Sequence, residues 1–163
     1  MFSEIVDGFG VKIPAATVTT IVKEPGWTPN ELILICSEKN GRSWVLVRRT
    51  QDEQKQKQII VRFEDDLAAR LNTVITYELL RSEGSPHRRP AFDTDSYLFS
   101  QTERPALIGE TGGDNKNSTV GYLCHVADLI SEYCHSDAGE HTRLLGEIDR
   151  AVTAIEIAYR KVK

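Results

Sequence analysis

The spacing of apolar positions changes once along the chain, near residue 64, from a period of about two to one of about 3.6. Before that point, "ATVTTIVKE" is rich in β-branched residues, and "ELILICSEKNGRSWVLVRRT" is two apolar runs around Lys39-Asn40-Gly41. Asn-Gly between apolar runs is the strongest short hairpin signal, because the tight turn needs residues that tolerate positive φ. "QIIVRF" supplies a fourth strand after the charged "QDEQKQK". "IVDGFGVKIP" is read as a short fifth one, broken by Gly8 and Gly10 and ended by Pro14. Short turns connect antiparallel neighbours, so residues 1–63 are expected to form an antiparallel meander of four to five strands.

From Glu64 the pattern is helical. Glu64, Asp65 and Asp66 place negative charge in a first turn, where the helix dipole favours it. Leu67, Leu71, Val74, Ile75 and Leu79 then recur at spacings of three and four, which is one helical face. The helix should end near Gly84 and pack on the meander. Residues 84–118 read as a long polar loop, punctuated by Pro86, Pro90, Pro105, Gly109, Gly112 and Gly113, with "SYLF" and "PALI" as candidates for short strands. Connections of that length usually carry function or hide short elements.

Two helices close the chain. In "VGYLCHVADLISEYC", Leu123, Ala127, Ile130 and Cys134 share a face widened by Val126 and Tyr133. The last helix starts at a cap-forming Ser136 or Asp137. Leu145, Ile148, Val152, Ile155, Tyr159 and Val162 follow in an alternating three–four spacing, with Leu144, Ala151 and Ala158 every seventh residue beside that seam. This is the cleanest periodicity in the chain, and it suits either a core helix or a subunit interface. The fold class expected is therefore α+β in one domain, 1–163: meander plus helix (1–83), long polar loop (84–118), C-terminal helical pair (119–163).

Composition narrows the function classes. With 40% hydrophobic residues the chain can bury a core, which argues against wholesale disorder. A net charge of −4 exerts no global pull on nucleic acid or anionic membrane. No apolar run approaches the roughly 18 residues of a membrane span, and "MFSEIVDGFG" lacks the basic start and apolar core of a secretory leader. Cys36, Cys124 and Cys134 are an odd, sparse set that points to reduced thiols. The expectation is a cytoplasmic protein without membrane partner or cofactor.

The stretch "IGETGGDNKNSTVGYL" looks like a phosphate loop but departs from one. A Walker A loop needs Gly-Lys-Ser/Thr, whereas Lys116 follows Asn115, Asn117 separates it from Ser118, and Asp114 puts a negative charge where phosphate would sit. What survives is a hinge with Ser118 or Thr119 capping a helix, whose free N–H groups can hold an anion. Lys116, Ser118 and Thr119, with Arg88 and Arg89 of the basic loop, are the anion candidates. Gly84-Ser85 with Asp93 and Asp95 resembles, over a short stretch, the glycine-serine and paired-aspartate pattern of nucleotidyltransferases. The pair follows a helix instead of opening one, and no third carboxylate is placed, so no role is carried over from that family.

Cys124-His125 and Cys134-His135 suggest a metal centre, yet ten residues of helix rise about 15 Å while zinc ligands lie within about 4 Å of each other. One helix cannot close that site, and no metal site is assigned. No catalytic residue is assigned either: the chain lacks G-x-S-x-G, and His87 beside Arg88 and Arg89 reads equally well as part of an exposed basic loop.

Residues 42–63 carry Arg42, Arg48, Arg49, Lys55, Lys57 and Arg62 against Asp52 and Glu53, a local net of +4 within an acidic chain. Trp44 stands among them. A basic sheet with an exposed aromatic is a platform for single-stranded nucleic acid, so Arg42, Trp44, Arg48, Arg49, Lys55 and Lys57 are its candidates, although Trp44 alternates with Leu46 and fits a core equally. The leading expectation is a non-catalytic interaction or assembly protein, its partner itself or another protein, held through Leu145, Ile148, Val152, Ile155, Tyr159 and Val162. The alternatives are a module for single-stranded nucleic acid or nucleotide on the basic hairpin, and a small-anion binder or enzyme on residues 84–119.

Overall fold

A computed structural model describes residues 2–24, 30–49, 58–82, 95–101, 107–110 and 118–162. The elements in chain order are α1 (Phe2–Asp7), β1 (Thr17–Glu24), β2 (Glu31–Ser37), β3 (Ser43–Arg49), β4 (Gln58–Phe63), α2 (Asp65–Ser82), β5 (Ser96–Gln101), β6 (Leu107–Glu110), α3 (Thr119–His135) and α4 (Ala138–Arg160). The class is α+β. Strands β1 to β4 form the antiparallel meander, α2 packs on it, and α3 and α4 are the C-terminal pair.

Two features differ from the sequence expectation. The proposed first strand is α1, a short helix whose Val6, with Phe9 just beyond it, is buried against the sheet. Short apolar runs carry too few residues to separate a period of two from one of 3.6. The region read as a long loop holds two strands at the candidate runs "SYLF" and "PALI", β5 and β6, and what differs is that they complete a six-stranded sheet in the order β4-β3-β2-β1-β5-β6. After β4, α2 crosses the sheet and the chain re-enters beside β1, on the side of the meander away from β4.

The turn chemistry acts as read. Glu38 N–H donates to the Arg42 carbonyl at 2.8 Å, and Gly41 takes φ 83°, a conformation costly for any residue with a Cβ. Alternation along the strands sorts side chains onto two faces. Ile21, Ile33, Ile35, Val45, Val47, Phe63, Tyr97 and Phe99 face α2, α3 and α4 in one large core. Val22, Leu32, Leu34, Cys36 and Leu46 face the other way, into a smaller core with Val6 and Phe9. Central strand β2 is therefore buried on both faces from Glu31 to Cys36.

A polar network fixes α2 over the sheet. Thr19 donates to Asn72 Oδ1 at 2.7 Å, Gln101 Nε2 donates to Thr19 at 3.1 Å and to the Asn72 carbonyl at 2.9 Å, and Thr76 donates to Gln101 Oε1 at 2.7 Å. Each buried polar group there is satisfied, which favours one docking angle of the helix over its neighbours. On the outer side, Arg70 of α2 reaches α4, with Asp149 at 2.5 Å and both oxygens of Glu156 at 2.9 and 3.0 Å. No helix among the described residues is long and apolar enough to cross a membrane.

Candidate functional site

The heptad seam of α4 is mostly consumed inside the chain. Ile148, Val152 and Ile155 are fully buried in the large core, as are Leu144 and, nearly so, Ala151. Leu145 and Tyr159 pack partly against that core, while Val162 is 79% exposed. An interface built on the whole stripe is thus unavailable to a partner. What remains outside is the rim where the end of α4 meets α2.

That rim is a groove of about 370 Å³ lined by Thr73, Val74, Tyr77, Arg81, Glu156, Tyr159, Arg160 and Val162. The rings of Tyr77 and Tyr159 lie 5.6 Å apart, and the Arg81 guanidinium sits 5.6 Å from the Tyr159 ring, a cation–π arrangement. Tyr77 is 53% exposed, and Leu80 and Ile157 are exposed elsewhere on the same two helices. The groove floor is apolar and aromatic, and its rim is basic through Arg81 and Arg160. Glu156 is already taken by Arg70, and the buried Glu78 pairs with Arg81 at 3.6 Å. Burial, and after it the nearby Glu78 charge, pushes the Tyr159 phenol up, so it stays a neutral hydroxyl. Tyr77 lies off the apolar stripe of α2, and that extra aromatic was the available sequence signal for this groove.

The anion candidates meet an internal competitor. Ser118 is the N-cap of α3 and accepts from Gly121 N–H at 2.9 Å, while the Thr119 hydroxyl donates to the buried Glu78 carboxylate. The start of α3 therefore already faces a carboxylate of its own chain. Lys116, Arg88, Arg89, His87 and Asp93 lie outside the described residues.

The nucleic-acid candidates do not share one surface. Trp44 and Arg48 point to the α1 side of β3, and Arg49 points to the helix side, where it is paired with Glu31 at 2.6 Å. Trp44 is half-buried against the α1 segment, so its ring is not an open stacking face. Arg42 is exposed in the β2–β3 turn, and Lys55 and Lys57 lie outside the described residues.

One polar row was invisible in the sequence. Tyr97, Lys23, Glu31 and Arg49 stand directly opposite one another across β5, β1, β2 and β3 on the helix-facing side. Asp128 of α3 joins them, accepting from Lys23 Nζ at 2.5 Å and the Tyr97 hydroxyl at 2.6 Å. Lys23 and Asp128 are 105 positions apart, so no local pattern links them. Cations and carboxylates here neutralise each other in pairs. Burial, and next the Asp128 carboxylate, pushes the Tyr97 phenol up.

The thiols are similarly quiet. Burial pushes Cys124 and Cys134 up to about 12, with Asp128 and Glu31 respectively adding to the shift, and raises Cys36. All three are free and buried, hence protonated and poorly nucleophilic at neutral pH. His125 and His135 point outward, and His135 Nδ1 meets the Ser131 carbonyl at 2.7 Å in the last turn of α3. Among the described residues no three metal-binding side chains gather at one point.

No protein-family model matches the chain, and no curated protein compared with it matches either. The geometry alone bears on function.

Proposed function

We propose that this chain is a non-catalytic protein-interaction module whose α2/α4 groove receives an apolar, acid-flanked helical segment of a partner protein. One observation carries this reading: Val74, Tyr77, Tyr159 and Val162 line one groove where the C-terminal seam emerges from the core, with Tyr77 and Val162 exposed. Contiguous exposed apolar surface with a polar rim is characteristic of interaction sites. Arg160 and the adjacent Lys161 at the rim favour an occupant with carboxylates beside its apolar anchors. The aromatic pair and an arginine supply the residue types that dominate such interfaces energetically. The partner contact therefore lies on the outer edge of the C-terminal helices and not along the buried heptad stripe.

The test is the native mass of the protein isolated gently from its own cells, compared with that of Val162→Asp and Arg81→Glu. Wild type is expected to carry a second polypeptide in fixed ratio, and both variants to release it, Val162→Asp while keeping the wild-type unfolding midpoint. A wild-type protein without a second polypeptide, or one that keeps it in both variants, overturns the reading.

A further inference from the structure

We propose that two copies of this chain pair through their β4 edges, antiparallel and centred on Ile60, to form one continuous sheet. This goes beyond the groove reading and uses a different part of the fold. Among the described residues, strand β4 ends the sheet and pairs with β3 on one side only. The direction of its backbone groups follows from the β2–β3 hairpin. Glu38 and Arg42 form a hydrogen-bonded pair, so alternation turns Trp44, Leu46 and Arg48 toward β2 and Ser43, Val45 and Val47 toward β4. Their partners Phe63, Val61 and Ile59 are bonded inward, which leaves the N–H and C=O groups of Gln58, Ile60 and Arg62 directed outward. Two side-chain contacts agree: Ser43 N–H, on the β4 side, donates to Asp65 at 2.7 Å, and Tyr133 donates to the Arg62 carbonyl at 2.9 Å.

Natural edges are blunted by proline, lysine or a bulge, and β4 has none of these. Its one charge, Arg62, is tied to Asp65 at 2.9 Å. Ile60 stands 58% exposed at the middle of the strand.

The occupant is a second copy because the strand complements itself in one register. Centring the two-fold on Ile60 sets Ile60 against Ile60 of the other copy, Ile59 against Val61, and Gln58 against Arg62. β-branched residues then meet β-branched residues, and each arginine meets an amide. Sliding until Arg62 meets its own copy would oppose like charges. The Ile60 register also keeps both large cores on one side of the joined sheet. Ile60 exchanges two backbone bonds with Ile60 of the other copy, and at each end the Arg62 carbonyl, which already accepts from Tyr133, takes the Gln58 N–H on its second lone pair.

The experiment is light scattering on the purified wild-type chain with hydrogen exchange at the Ile60 amide, beside Ile60→Lys and Ile60→Pro. Proline is tolerated where the lost N–H points away from the sheet, so it should spare the monomer and block the pairing. The expected result is twice the 18.3 kDa mass for wild type, slowing of Ile60 exchange by tenfold or more as concentration rises, and single-chain mass for both variants with wild-type circular dichroism. A wild-type monomer, an Ile60 amide that exchanges freely at every concentration, or a dimer that survives in folded Ile60→Lys overturns the proposal. Because the groove variants Val162→Asp and Arg81→Glu leave β4 untouched, they should remain dimeric, and failure of one reading is separable from failure of the other.

Discussion

Replacing Ile155 by alanine separates the two uses that a heptad stripe allows. Ile155 is fully buried in the core formed by the sheet, α2, α3 and α4. The change deletes three carbons, worth about 2.4 kcal/mol of transfer free energy at about 0.8 kcal/mol each. The cavity left in a core of this density raises the cost to about 3–4 kcal/mol. A domain of this size unfolds with an m-value of about 2 kcal/mol/M in urea, so the midpoint should fall by about 1.5–2 M. Ile157, two residues on, is 45% exposed, and its alanine variant should lose less than about 1 kcal/mol. Urea melts followed by circular dichroism at several protein concentrations measure both. If the stripe belongs to the chain's own core, the gap between Ile155→Ala and wild type is the same at every concentration. A loss below about 1 kcal/mol, or a gap that vanishes on dilution, would place the stripe between subunits and refute the argument.

Other consequences follow from the same contacts. Asn72→Ala removes the Oδ1 that accepts from the buried Thr19 hydroxyl while leaving the backbone carbonyl that Gln101 uses, and chemical denaturation should show a loss of about 1–3 kcal/mol. Asp137 accepts from Gly139 N–H at the start of α4, so Asp137→Ala should cost about 1 kcal/mol with the melting temperature falling accordingly. Cys124 and Cys134 hold their protons to about pH 12 when folded, against an ordinary value of 9.0. The unfolded chain loses those protons first, so the stability they contribute is complete below pH 9 and declines as pH rises from 9 to 12, which melts across that range would record. Iodoacetamide at pH 8 should modify neither thiol without denaturant; rapid labelling of the native chain would contradict their burial.

The sequence by itself determined what depends on near neighbours. The Asn40-Gly41 hairpin, the first turn of α2 with Asp65 and Asp66, the cap pairs Ser118 or Thr119 and Ser136 or Asp137, and the apolar faces of α2, α3 and α4 are all written within a few residues of where they act. Periodicity and turn chemistry are local, so one sequence suffices to read them. Where the chain returns to itself was not legible. "SYLF" shows a strand-forming run, but nothing in it says that β5 pairs with β1 on the side of the meander away from β4. The meeting of Lys23, Tyr97 and Asp128, the opposite directions of Arg48 and Arg49, and the burial of Ile148, Val152 and Ile155 within the chain were decided by the docking of α2, α3 and α4 on one sheet face. The same stripe of isoleucine and valine satisfies a core or a partner, because burial is non-directional and proportional to area. Only the tertiary structure supplies the surface that reaches it first.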